Sequence, residues 1–387
     1  MKRTIDILGL LLVALFTTAC SGGGDDGENT SVTDQQPVLT FYVYAPERPM
    51  ITRANEVNAT AEENAIHNMQ IWVFETGTNT LVGYLAPTSF PTTAEGQIYQ
   101  MNVSKEFANA ATKPNVDVYV VANGRSATTL NGSTTREQLE AAVMDETDFG
   151  VSSPQKGVPT GGLPMTGVLR DKTIGGENPV LRVEDGGNMA KVRLLRMVSK
   201  VRYVFCKGVS DVLLIKGITI GANLIPTTEY LFLTDKNYRI GSVFNNDDIP
   251  LITATEITDV LECGNPMKYD INTITPSLTA QAYEDLIDLG VNGDTEKNID
   301  PDLTMVGPFY FKESDKKLHG TITYTPPGET NSKDKPYSMA GDANSSFTRN
   351  HSWIVYAYYE GLSGMQIIVV DVTPWDERDE NHSVYNW

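Results

Sequence analysis

The stretch AKVRLLRMVSKVRYVF, Ala190–Phe205, decides the fold. In it Leu195, Met197, Val201, Tyr203 and Phe205 alternate with Arg196, Val198, Lys200 and Arg202, the period of two that sends successive side chains to opposite faces of a β-strand. The first set is expected to line a core, and the strand to open a second domain. Just upstream, between Gly150 and Gly187, SSP, VPTGGLP, IGGENP and DGG are turn signals that mark the neighbourhood of a domain boundary. The same alternation recurs on either side. VLTFYVYA places Leu39, Phe41, Val43 and Ala45 on one face, NMQIWVFE places Met69, Ile71 and Val73, and VDVYVVANG places Val116, Val118 and Val120. Further strands are predicted at VLLIKGITIG, TEYLFL, HGTITYT, HSWIVYAYYE and MQIIVVDVTPW.

Only two helices are predicted. TTREQLEAAVM carries Thr134 and Glu137 at capping-box spacing, and LTAQAYEDLIDLG puts Leu278, Ala282 and Leu286 on one face. Short strands with few helices and no βαβ alternation predict an all-β fold of two β-sandwich domains in tandem, residues 38–188 and 189–387.

The N-terminus reads differently. MKRTIDILGLLLVALFTTAC has a basic start, an apolar run and a small residue before Cys20, the pattern of a secretory signal rather than a membrane span. Cys20 at the cleavage point resembles a bacterial lipobox, although Thr17 stands where leucine is usual; the alternative is an ordinary signal with an incidental cysteine. Residues 1–20 are thus read as a lipoprotein signal peptide. Residues 21–37, glycine-rich and acidic, are read as a flexible tether. With 30 basic against 49 acidic residues the net charge is −19, which repels phosphate backbones and excludes nucleic acid as a partner class. Cys206 and Cys263 have no metal-ligand spacing, and whether they pair is open.

No catalytic constellation emerges. GxSxG, P-loop and HExxH patterns are absent from the sequence, GGGDDG at 22–27 matches GxGxxG only within the acidic tether, without a strand before it and a helix after it, and His67, His319, His351 and His382 are scattered singly. The acidic runs Asn245–Asp248 and Asp288–Asp302 lack calcium-loop spacing and read as solvated loops. Trp353, Tyr356, Tyr358 and Tyr359 would serve a sugar site if exposed, or a core if buried. The expectation is a protein that is not an enzyme and uses no cofactor or metal.

A polar segment containing TRANE follows the first strand; then come NAIHNMQIWVFE, VYVVANG, GLPMTG, RLLRMVSKVRYVF, FTRNHSWIVY and the closing VDVTPWDERDENHSVYNW. Their order resembles that of the fimbrillins, the major fimbrial subunit (type V pilin) family of Bacteroidota, from about Val38 to Trp387. The resemblance implies two transthyretin-like β-sandwiches and export as an outer-membrane lipoprotein with palmitate on Cys20. It also implies trimming by an arginine-specific surface protease at Arg53–Ala54, so that residues 38–53 form a removable strand and cleavage segment. Leu39, Phe41, Val43 and Ala45 would leave, and a donor tail carrying Val384, Tyr385 and Trp387 would replace them by donor-strand exchange. Partners would be other fimbrial subunits, the protease, and host or bacterial surface ligands, with the fimbrium at the cell surface. The alternatives are a tip or accessory adhesin of the same family, and a glycan-binding surface lipoprotein that does not polymerise.

Overall fold

The computed structural model describes residues 35–44, 61–91, 96–124, 129–144, 149, 155–232, 243–260, 304–339, 347–359, 361–362 and 364–372. From Gln36 onward they form one compact unit. The N-terminal half begins with β1 (Val38–Tyr44), β2 (Met69–Glu75), β3 (Leu81–Leu85) and β4 (Gln97–Asn102). Helix α1 (Lys105–Asn109) leads to β5 (Val116–Ala122), and helix α2 (Arg136–Glu140) to the short strands β6 (Val143–Met144) and β7 (Gln155–Lys156). Then follow β8 (Met165–Glu177), β9 (Val180–Asp185), β10 (Asn188–Met189), β11 (Lys191–Arg193) and β12 (Leu195–Arg196). The C-terminal half contains β13 (Val198–Lys207), β14 (Leu214–Ile220), β15 (Glu229–Tyr230), β16 (Ile249–Ile257) and β17 (Thr304–Lys312). It closes with β18 (His319–Thr325), β19 (Lys333–Ser338), β20 (Ser352–Tyr359) and β21 (Met365–Val372).

The fold is mainly β, as the alternation predicts, and of the two short helices among the described residues α2 falls where one was expected while α1 was not anticipated. In the first half one long strand makes both layers of a sandwich. The start of β8 pairs with β5, while its end, from Thr173, pairs with β9. Between the two stretches Asp171 adopts φ +54° and its N–H donates to Asp117 Oδ1 at 2.8 Å, a local irregularity that turns the strand from one layer into the other. The layers enclose Leu39, Phe41, Ile71, Val73, Val118, Val120, Leu181 and Val192. In the second half the sheet β21-β20-β13-β17-β7 faces the sheet β16-β14-β18-β19, with Val201, Tyr203, Phe205, Ile218, Ile322 and Trp353 in the core between them.

The single strand expected over 190–205 is broken into three. β11 and β12 stay in the first half, pairing with β1 and β8, so the first sheet holds the chain as far as Arg196, beyond the division at residue 188. Val201, Tyr203 and Phe205 line the C-terminal core as expected. Met197 instead joins an apolar cluster between the halves with Trp72, Phe74, Tyr119, Leu231 and Tyr310, and Leu195 is half-buried outside all three cores. The cause is the crossing itself: Met197 N–H donates to Pro164 O at 2.8 Å, and the chain cannot keep one face constant while it changes sheets. Helix α2 starts one residue later than expected. Thr135, with Gln138, forms the capping box, while Thr134 Oγ1 accepts from Asn131 N–H. The helix predicted over 278–290 lies outside the described residues.

Candidate assembly site

β1 is an interior strand. Along one side, from Val38↔Asn102 to Val43↔Gln97, it runs antiparallel to β4. Along the other it runs parallel to two strands in succession: residues 38–40 face 180–182 of β9, and residues 42–44 face 191–193 of β11. Val38 N–H donates to Pro179 O at 2.8 Å, Tyr42 N–H to Ala190 O at 3.0 Å, and Leu194 N–H to Tyr44 O at 3.1 Å. Leu39, Phe41 and Val43 are fully buried, because odd positions point between the layers. β1 is thus the first strand in sequence yet fills a slot between two others. Without it, β4 and the β9/β11 wall would each present an unpaired edge, and Tyr99, Met101, Leu181 and Val192 would lose their cover.

The described stretch that begins at residue 61 is fastened to the other half. Glu63 Oε1 lies 2.8 Å from Lys200 Nζ and accepts from Tyr310 Oη at 2.6 Å. Arg196 spans the same place, with Nε donating to Glu63 O at 3.3 Å, Nη1 to Asn350 Oδ1 at 3.2 Å, and Nη2 to Asn64 Oδ1. Burial alone would raise the Glu63 carboxyl, but the Lys200 ammonium, the Tyr310 hydroxyl and the Arg196 charge override it and hold it below the ordinary range. A second buried cluster joins Glu229 of β15, Glu313 and Arg349. Arg349 Nη2 lies 2.8 Å from Glu229 Oε1 and 2.5 Å from Glu313 Oε1. Here burial wins and pushes Glu229 well above the carboxylate range; Arg349 opposes the shift and the neighbouring Glu313 adds to it.

Leu39, Phe41 and Val43 therefore stand together in one slot. Cys20, Ala45, Arg53, Ala54, Val384, Tyr385 and Trp387 lie outside the described residues, as do Cys263 and the acidic run 288–302. Cys206 is disulfide-bonded. Asn245, in the other acidic run, is buried; its Oδ1 accepts from Leu224 and Ile225 N–H and its Nδ2 donates to Gly221 O, so it shapes a loop. Trp353, Tyr358 and Tyr359 are buried, with His351 stacked on Trp353 at 6.2 Å, which removes them as a sugar platform. Among the described residues no cluster of His, Cys, Asp or Glu could hold a metal ion. Sequence reading missed Glu63, Lys200, Glu229, Glu313 and Arg349 as linked groups, because each pair joins distant segments.

These features define a β-sandwich protein whose leading strand occupies a slot between strands from later in the chain. Residues 39–193 match the family model described as "Major fimbrial subunit protein (FimA)", the family whose order of segments the sequence resembles. The resemblance drawn from the sequence is shown over that span. No curated protein matches the chain. Among solved structures, the tip fimbrial protein Mfa3 from Porphyromonas gingivalis, with C-terminal truncation, is 12% identical, covering 87% of this chain and 100% of that one at a TM-score of 0.49. A "putative cell adhesion protein" from Bacteroides eggerthii DSM 20697 is 15% identical, with 87% and 95% covered and a TM-score of 0.48. Another from Parabacteroides distasonis ATCC 8503 is 14% identical, with 88% and 97% covered and a TM-score of 0.49. Likenesses of this size carry no argument about function.

Proposed function

We propose that this protein is a non-enzymatic subunit of a cell-surface fimbria that assembles by donor-strand exchange. In this reading the precursor is an outer-membrane lipoprotein acylated on Cys20. An arginine-specific surface protease cuts Arg53–Ala54, β1 leaves, and the C-terminal tail of another subunit, with Val384, Tyr385 and Trp387 as its apolar residues, takes the slot. One observation carries the reading: β1 pairs on both sides and buries Leu39, Phe41 and Val43, so its loss creates a site of its own shape for a replacement strand. The clamp at Glu63 lets the halves stay joined when the leading strand goes. A glycan-binding role loses its best candidates, since Trp353, Tyr358 and Tyr359 are buried.

The test is limited digestion of the purified protein with an arginine-specific protease, wild type beside Arg53→Ala, followed on unboiled gels. Wild type is expected to lose its N-terminus at Arg53 and form ladders, and Arg53→Ala to stay monomeric. Absence of ladders from correctly cut wild type would overturn the reading.

A further inference from the structure

On the wall of the slot, β11 carries two cations on the side of the sheet away from the core. Val192 points into the core, so its neighbours Lys191 and Arg193 share the opposite face with their partners Tyr42 and Tyr44. Arg193 is only 7% exposed, yet its Nε and Nη2 have no hydrogen-bond acceptor. Among the described residues neither Arg193 nor Lys191 makes an ion pair. A guanidinium buried without a counterion is costly, and a methionine of similar bulk would avoid that cost. Nothing within the described fold repays it. The chain as a whole carries −19, so an unpaired basic pair at the mouth of a strand-accepting slot is a local exception.

We propose that Arg193, with Lys191 beside it, is a charge latch that receives the acidic run Asp376–Glu380 of a second copy of this chain when that copy's tail replaces β1. The inference rests on the reading of the protein as a strand-exchanging subunit and names the contact that selects the incoming strand. DERDE supplies four carboxylates against one arginine, and it ends four residues before Val384. That spacing is about 13 Å of extended chain, at roughly 3.3 Å per residue. With Val384, Tyr385 and Trp387 seated in the slot, the acidic run sits at its end. Arg193 lies at the Tyr44 end, so the tail enters past Arg193 and runs toward Val38, opposite in direction to the strand it replaces. The apolar residues supply burial, and the latch supplies register and discrimination against tails without acid.

The test follows ladder formation by the full chain after cutting at Arg53, in wild type, Arg193→Met, Arg193→Glu, and Arg193→Glu combined with lysine at positions 376, 377, 379 and 380. Expected are ladders from wild type, assembly slowed roughly tenfold or more in Arg193→Met, none from Arg193→Glu, and restoration in the combined variant. The uncut Arg193→Met monomer is expected to melt at a higher temperature than wild type, because it no longer buries an unpaired charge. If both single variants assemble at the wild-type rate, the latch is overturned while the subunit reading stands. A lower melting midpoint for Arg193→Met makes Arg193 a structural residue and also overturns it. If wild type itself forms no ladder, the subunit reading falls and the latch falls with it.

Discussion

Glu63 and Lys200 form an ion pair of 2.8 Å between the first residues described after β1 and the central strand of the C-terminal sandwich, with side chains only 1% and 4% exposed. Tyr310 and Arg196 complete its hydrogen bonds. Removing one partner strands the other charge in a low-dielectric place. Glu63→Ala is therefore expected to destabilise the protein by about 3 to 5 kcal/mol, measured by chemical denaturation; a loss below about 1 kcal/mol would mean that water reaches Lys200 and solvates it.

The two buried clusters give opposite pH dependence. Glu63 is held below its unfolded value, so its contribution is present above the unfolded pKa and is lost as pH falls through the folded one. Glu229 is held well above its unfolded value. Its contribution is fully present below the unfolded pKa and is lost as pH rises through the raised folded one. Glu229→Gln, which mimics the protonated form, is expected to melt higher than wild type at neutral pH and to converge with it in acid. Melting curves across pH 4 to 8 check this, and parallel curves for the two proteins would contradict the assignment.

In the C-terminal core, Phe205 is fully buried and belongs to the same cluster as Val201, Tyr203 and Trp353. Truncation to alanine leaves a cavity that a strand paired on both sides cannot collapse to fill. Phe205→Ala is expected to cost about 3 to 5 kcal/mol, read from urea midpoints at unchanged slope.

Much of this was legible in the sequence wherever one face of a strand meets a core. Leu39, Phe41 and Val43, or Val201, Tyr203 and Phe205, alternate with other residues and are buried accordingly. The reading failed where both faces are covered. Trp72, Phe74, Tyr119 and Val121 lie on the second faces of β2 and β5 and are buried against α2 and the C-terminal half, which a period of two cannot reveal. The helix start was ambiguous locally, since Thr134–Glu137 and Thr135–Gln138 have the same spacing. Arg196, Lys200 and Arg202 alternate with the apolar set and are buried as well. For Arg196 and Lys200, acceptors such as Glu63 and Asn350 come from segments far away in the chain, beyond any local pattern.

Cutting at Arg53 is not expected to release β1 by itself. Leu39, Phe41 and Val43 are fully buried, and each such side chain contributes about 1.5 to 3 kcal/mol. The strand's backbone bonds to β4, β9 and β11 do not pass through the cut. Nicked protein lacking its own tail, Ser383–Trp387, should therefore keep its N-terminal fragment through gel filtration in buffer and lose it only when a competing strand, such as the tail of a full-length copy, or mild denaturant is present. Phe41→Ala removes the largest of the three side chains, so after cutting its fragment should dissociate faster than the wild-type fragment, and assembly should speed up to match. Mass spectrometry of the nicked protein before and after gel filtration measures retention directly. A fragment that leaves the tail-deleted protein at once in buffer would show that burial of Leu39, Phe41 and Val43 does not hold the strand, and the barrier to exchange would then lie with the incoming tail.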